Sequence, residues 1–268
     1  MNSILEASNL SFSWGNKQVF SGVGFDIQPN QIVAIVGVNG AGKSTLLKCL
    51  NRILVPSTGS ISINSEEVST MPILELAKRV SYVPQSVSTS FPLDVYDVVM
   101  LGRRPYISWR ISDEDREFVS NTISLFDLED FAFRRFDQLS GGERQRVIIA
   151  KAVAQNPSLF LFDEPTSDLD LKNQIIVMKS IRKLVDNKDN NCSALIAIHD
   201  LNTAARFADS ILMLHEGEMK AFGSPEIVFT EENISEVFGV TSELILPPDH
   251  QPMRIHILDV PDGAGREK

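Results

Sequence analysis

The stretch IVAIVGVNGAGKSTLLKCL, Ile32 to Leu50, decides the fold. Ile32–Val36 is an apolar run of the kind found in strands buried on both faces. It ends in Gly37-Val38-Asn39-Gly40-Ala41-Gly42-Lys43-Ser44, which fits G-x-x-x-x-G-K-[ST], and Lys43–Asn51 continues in a helical pattern. Strand, glycine loop and helix together open an α/β unit. The glycines let backbone N–H groups turn inward around phosphate oxygens, and the helix N-terminus adds its positive dipole. Lys43 brings a point charge to the outer phosphates, and the Ser44 hydroxyl suits a Mg²⁺ ion. The plainer alternative, a glycine-rich turn with an incidental lysine, fits poorly with a strand before and a helix after.

Around this unit the chain reads as strands at Leu5–Phe12, Gly24–Ile27, Ser60–Ile63 and Val80–Val83, with Val55-Pro-Ser-Thr-Gly59 as punctuation. From Ser86 to about Asn156 the texture turns helical. Asp94–Leu101 carries Val95, Val98 and Val99 on one face and stops at Gly102. Asp113–Leu125 is a longer amphipathic helix in which Ser112 and Asp115 form an imperfect capping box. Strands return at Leu159–Phe162 and Ala194–Ile198, with a helix over Leu171–Val185 between them. Ile211–Leu214 and Met219–Phe222 make a hairpin around Glu216-Gly217, Ser224-Pro225-Glu226 starts a helix, and residues 261–268 read as a loose tail. A mixed α/β core interrupted by a helical insert is expected.

The bulk numbers fit a globular chain: 268 residues, 43% hydrophobic and 22% charged. The formal net charge of −10 weighs against a nucleic-acid partner. Cys49 and Cys192 stand far apart with no metal spacing, which reads as two free thiols in a reducing compartment. MNSILEASNL shows no basic region followed by an apolar one, so no signal peptide is expected. Runs such as Ile32–Val36 and Val147–Ala150 fall far short of a membrane span. A soluble chain is expected, with any membrane role exercised through partners.

Leu159-Phe160-Leu161-Phe162-Asp163-Glu164 is an apolar strand that delivers two adjacent carboxylates. Successive strand side chains diverge, so the two can take different tasks: Asp163 suits a Mg²⁺ shell, and Glu164 suits a general base that polarises water. His199, Gln85 and Trp14 each read as structural when taken alone. Leu139-Ser140-Gly141-Gly142-Glu143 precedes the helical run Arg144–Val153, and by itself Ser140…Glu143 is a capping box.

The order of these pieces is more telling than any one of them. Phosphate loop, Gln85, LSGGE, the strand ending in Asp163-Glu164, Ser167-Asp168-Leu169-Asp170 and His199 follow one another as in the ATP-binding cassette. Over almost its whole length the chain resembles ABC transporter ATPase subunits. The resemblance implies a P-loop NTPase of the ABC type: a RecA-like core over 1–85 and 157–240 with an N-terminal antiparallel β subdomain, a helical subdomain over 86–156, and a C-terminal extension over 241–260. It implies ATP contacts from Gly37, Val38, Asn39, Gly40, Ala41, Gly42, Lys43, Ser44 and Thr45, with Trp14 stacked on adenine. It implies Mg²⁺ at Ser44, Gln85 and Asp163, Glu164 as catalytic base, Gln85 as the link to the transmembrane partner, and His199 on the terminal phosphate. Ser140, Gly141 and Gly142, in this family, bind the nucleotide held by another subunit, so a homodimer is implied. Also implied are integral-membrane permease subunits, an extracytoplasmic substrate-binding protein, and a peripheral location on the cytoplasmic face of the inner membrane. Two departures stand out: Glu143 replaces the commoner glutamine, and Asp168 adds a carboxylate where alanine or histidine is usual.

Val95–Tyr106 and Ser112–Asp115 in the insert, and Ser167–Gln174 beyond it, are similar to the ATPases of importers for ferric siderophores, haem and cobalamin. Importers of another solute stay open as an alternative. Phe91, Val99, Tyr106 and Trp109 either line a groove for a permease helix or pack the small helical unit. The rival class is a soluble cassette ATPase acting on nucleic acid; it lacks support because no second cassette or long coiled-coil insertion is present.

Overall fold

The computed structural model describes residues 3–85, 92–246, 248 and 251–260. The expectations placed on Phe91, on the start of the helical insert at Ser86 and on the tail 261–268 lie outside them.

β1 (Leu5–Trp14) and β2 (Lys17–Ile27) form a long antiparallel hairpin, and β4 (Thr58–Ile63) pairs with the other edge of β1, followed by the short β5 (Glu66–Glu67). The approach of β4 to β1 needs Gly59. Its φ is +91°, and a Cβ there would lie 2.5 Å from the carbonyl oxygens of Ser8 and Asn9. That close approach is the physical content of the Val55–Gly59 punctuation.

A six-stranded sheet carries the order β10-β9-β3-β8-β7-β6, from β3 (Ile32–Val36), β6 (Val80–Val83), β7 (Leu159–Asp163), β8 (Ser193–Ala197), β9 (Ser210–His215) and β10 (Glu218–Gly223). All neighbours are parallel except β9 and β10. β3, β7 and β8 are buried along their whole length, as strands covered on both faces must be. Registers align Ile35 with Ala197 and Ala197 with Asp163, so three adjacent strands end in one row. α1 (Lys43–Leu50) follows β3 from that row. The carboxyl ends of parallel strands are where an α/β sheet presents a ligand site.

α2 (Ile73–Arg79) leads into β6. Sequence patterning missed it because it is one short helix whose Ile73 and Leu74 face solvent. α3 (Val95–Met100), α4 (Asp113–Leu125) and α5 (Gly141–Ala154) pack together as a helical unit. Gly102 lets α3 approach α5, since a Cβ there would sit 2.2 Å from the Lys151 carbonyl oxygen. Beside it the buried Arg103 pairs with Asp115 at 2.9 Å, donates to the Ala154 carbonyl at 3.1 Å, and lies against the rings of Tyr106 and Phe118. Asp115 also completes the capping box with Ser112, so the aspartate serves as well as the usual glutamate. One reading of the insert is corrected: Val99 is 0% exposed and belongs to the core, whereas Trp109 is 100% exposed. The two cannot line one groove.

α6 (Leu171–Asp186) connects β7 to β8, and α7 (Leu201–Phe207) connects β8 to β9. After β10 come α8 (Pro225–Val228), α9 (Glu231–Phe238) and an antiparallel pair, β11 (Thr241–Ile245) with β12 (Arg254–Asp259). Both cysteines are free and buried, and burial pushes their thiols up, to about 12 for Cys49 and about 11 for Cys192. Among the described residues no helix is long and apolar enough to cross a membrane.

Candidate active site

A cavity of about 610 Å³ opens above the row of strand ends, lined by Trp14, Glu164 and residues 17–19, 38–45 and 215–217. Its floor is the loop between β3 and α1. Gly37 (φ +152°) cannot carry a Cβ, which would stand 2.4 Å from the Leu214 carbonyl oxygen of the neighbouring β9. Gly42 caps α1 in the left-handed region, φ +99°, under the Val19 side chain. The Lys43 ammonium folds back on the loop, donating to the carbonyls of Gly37 at 2.8 Å and Val38 at 3.1 Å. Burial lowers its pKa, and the carboxylates of Glu164 and Asp163 oppose that shift. At the cavity mouth Trp14 is 58% exposed and braced edge-on by Phe12, ring centroids 5.0 Å apart. A flat aromatic surface is thereby offered to the cavity.

Asp163 ends β7 and is 4% exposed. It accepts from the Ser44 hydroxyl at 2.8 Å and the Tyr82 hydroxyl at 3.1 Å. Burial, then Asp163, raises the Tyr82 pKa, so its proton stays on that contact. A serine hydroxyl and a carboxylate oxygen beside a phosphate loop are the hard donors that Mg²⁺ accepts, with phosphate and water filling the remaining positions. Among the described residues no three or more His, Cys, Asp or Glu gather as a metal cluster. A Mg²⁺ site completed by phosphate needs none.

Glu164 lies just past the strand in the left-handed region, φ +53°, with its N–H on the Ala197 carbonyl at 3.2 Å. A non-glycine residue there carries a strain of about 1–3 kcal/mol. The side chain of Glu164 meets Gln85 and His199, while that of Asp163 meets Ser44 and Tyr82. Glu164 Oε2 accepts from Gln85 Nε2 at 2.9 Å and is also in contact with His199 Nε2. Glu164 leaves the central β7, and its two partners follow the flanking strands, β6 and β8. The structure therefore brings Lys43, Ser44, Gln85, Asp163, Glu164 and His199 together.

Ser140–Gly142 stand apart: none of them lines the phosphate-loop cavity. Ser140 caps α5 and forms a full box with Glu143, whose Oε2 accepts from the Ser140 N–H at 2.8 Å and the Ser140 hydroxyl at 2.7 Å. Gly141 borders a separate cavity of about 240 Å³ shared with Gln85, Glu164, Ser167 and Asp168. Sequence reasoning missed Tyr82, Lys17, Gln18 and the turn His215–Gly217. The signal for Tyr82 is its place beside β7, which exists only once the strand order is known. Glu216-Gly217 was visible as a hairpin turn, but nothing local ties that turn to the cavity.

A profile of the family described as ABC transporter matches residues 20–167. The chain belongs to the ABC transporter ATP-binding family. An ABC transporter ATP-binding protein of Methanocaldococcus jannaschii is 44% identical over 88% of this chain and 92% of its own length. A hemin import ATP-binding protein of Thermobifida fusca is 36% identical, covering 91% and 85%. A petrobactin import ATP-binding protein of Bacillus anthracis is 34% identical, covering 99% and 96%. A solved chain described as a metal-chelate type ABC transporter in an inward-facing conformation superposes with a TM-score of 0.83 at 30% identity, covering 96% of this chain and 98% of that one. The ABC-type fold expected from the motifs is thus the observed one. This ABC subunit binds ATP and is an ATP hydrolase coupled to transport.

Proposed function

We propose that this ABC subunit drives uptake of a bulky metal chelate of the ferric-siderophore, haem or cobalamin class. The named roles of the hemin and petrobactin relatives and the metal-chelate structural neighbour support that cargo. The chain works with membrane permease subunits on the cytoplasmic face of the inner membrane, fed by an extracytoplasmic binding protein. The exposed Trp109 is offered as part of the docking surface. No nucleic acid takes part.

In this reading adenine stacks on Trp14, residues 37–45 hold the phosphates by their N–H groups, and Lys43 neutralises the outer ones. Ser44, Asp163 and Gln85 would hold Mg²⁺, which offsets charge on the outer phosphate oxygens when bound. Glu164 takes the proton of the attacking water on its carboxylate, and His199 contacts the terminal phosphate. Ser140–Gly142 serve the ATP held by a second copy, so two ATP are enclosed by a homodimer.

The observation that carries the mechanism is that Gln85 and His199 converge on a single oxygen of Glu164. A carboxylate held from both sides is oriented for one proton transfer. Deleting the gene should impair uptake of at least one chelate of the class. Normal uptake of all of them, with a defect for a different solute, overturns the cargo.

A further inference from the structure

His199 is exposed at 44% of its side chain, so its position depends on the segment that carries it. That segment runs from the end of β8, where the Ile198 N–H meets the Ile35 carbonyl at 3.0 Å, into α7, which is capped by the Asp200 side chain on the Thr203 N–H. α7 is 7 residues long, too short to hold its own geometry, and its orientation must come from packing. Leu201, Ala204, Ala205 and Phe207 bury one side against the core. The other side meets β12.

The contact there is specific. Asn202 Nδ2 donates to the Ile255 carbonyl at 3.0 Å, and the Ile255 N–H donates to Asn202 Oδ1 at 2.8 Å. Ile255 sits opposite Leu244 of β11, and both of its backbone groups point away from that partner. The Asn202 amide therefore pairs with the free edge of β12 as a neighbouring strand would. Buried Met253 and Ile255 seal the same junction. A two-point contact fixes direction as well as distance, and it acts on the helical turn that begins beside His199.

We infer that Asn202 is a positioning residue for His199, and that the β11–β12 unit braces the α7 side of the segment that carries it. The inference rests on the role proposed for His199. Asn202 itself is exposed and touches no part of the nucleotide cavity.

Asn202→Ala removes both hydrogen bonds without adding charge at an exposed helical position, and Asn202→Asp keeps the shape while setting a carboxylate against the Ile255 carbonyl. Both should lower kcat for ATP by at least ~5-fold, the aspartate more than the alanine, with KM and equilibrium ATP binding unchanged. Melting temperature is measured alongside, because a merely structural contact would shift Tm and leave kcat alone. His199→Ala is the control. If it abolishes turnover while both Asn202 variants turn over like the wild type, the positioning inference is overturned and the role of His199 stands. If His199→Ala itself turns over normally, the underlying role fails. A fall in kcat accompanied by an equal loss of ATP binding also overturns the inference.

Discussion

Gln85 Nε2 donates to Glu164 Oε2 at 2.9 Å, just beyond the ends of the paired parallel strands β6 and β7. The same oxygen is in contact with His199, from the strand on the other side of β7. The ends of β6, β7 and β8 bring the three side chains together, and Glu164 adopts left-handed backbone to reach the contact.

Glu164→Gln keeps the shape of the side chain and both neighbours but cannot take a proton. ATP affinity should stay nearly intact while turnover falls by at least ~10²-fold. Single-turnover hydrolysis measured beside nucleotide titration separates the two. A variant that hydrolyses at near wild-type rate removes Glu164 from the mechanism.

Much of this site was legible because its chemistry is local in sequence. The phosphate loop declares itself within a few residues, whereas Asp163-Glu164 and Ser140-Gly141-Gly142 took their meaning from the order of the motifs. The central strands were legible for the same reason, being apolar runs buried on both faces. Partnerships were not legible. Tyr82 with Asp163 and Asn202 with Ile255 join segments far apart in the chain, and Ser44 was placed beside Asp163 only through the Mg²⁺ shell that the resemblance implies. β11 and β12 escaped notice because, among the described residues of this stretch, only Ser242, Met253 and Ile255 are buried. That leaves too weak an alternation to read as strand. Val99 was left between two readings for a related reason. Periodicity places Val95, Val98 and Val99 on one face, but only the fold shows that the face turns inward.

The helical unit separates folding from docking. Val99→Glu buries an unpaired charge in the core and should destabilise by roughly 4 kcal/mol or more. Arg103→Met strands the Asp115 carboxylate, buried with 7% of its side chain exposed, and should cost about 3–5 kcal/mol. Trp109→Glu should leave Tm unchanged while reducing capture of permease-containing membranes. Thermal melts and membrane co-sedimentation on the three variants check this. Undiminished capture by Trp109→Glu moves the docking surface elsewhere.

Glu143 sets stability against assembly. The Ser140 hydroxyl, then the Ser140 N–H, holds its carboxyl below the ordinary value of 4.5. A depressed carboxyl stabilises the fold at pH above its unfolded value, and that stabilisation is lost as pH falls through the folded one. Glu143→Gln preserves the capping geometry and should lower Tm slightly at neutral pH, with the difference shrinking as pH falls below 4.5. The same carboxylate occupies the Ser140 donors assigned to a partner's phosphate. Removing its charge should therefore tighten ATP-dependent dimerisation in the Glu164→Gln background. Equal dimer affinity with glutamate and glutamine would show that Glu143 does not compete for those donors.

The assignment of Ser140–Gly142 to another copy's nucleotide can be tested by complementation. Lys43→Ala damages the phosphate loop and spares the signature. Gly141→Asp does the reverse, and it has room, because the nearest atom to a Cβ at Gly141 is Leu169 Cδ2 at 4.0 Å. If each ATP lies between the loop of one chain and Ser140–Gly142 of another, a mixed dimer holds one site with both lesions and one with neither. If both halves of a site belong to one chain, every site keeps a lesion and mixing rescues nothing. Carrying Glu164→Gln in both chains stops hydrolysis from hiding the outcome. Each variant alone should stay monomeric with ATP, while the mixture should form an ATP-dependent heterodimer weaker than the Glu164→Gln parent. Size-exclusion elution of differently tagged chains, with and without ATP, reads this directly. A mixture that stays monomeric while the parent dimerises leaves Ser140 and Glu143 as a capping box and nothing more.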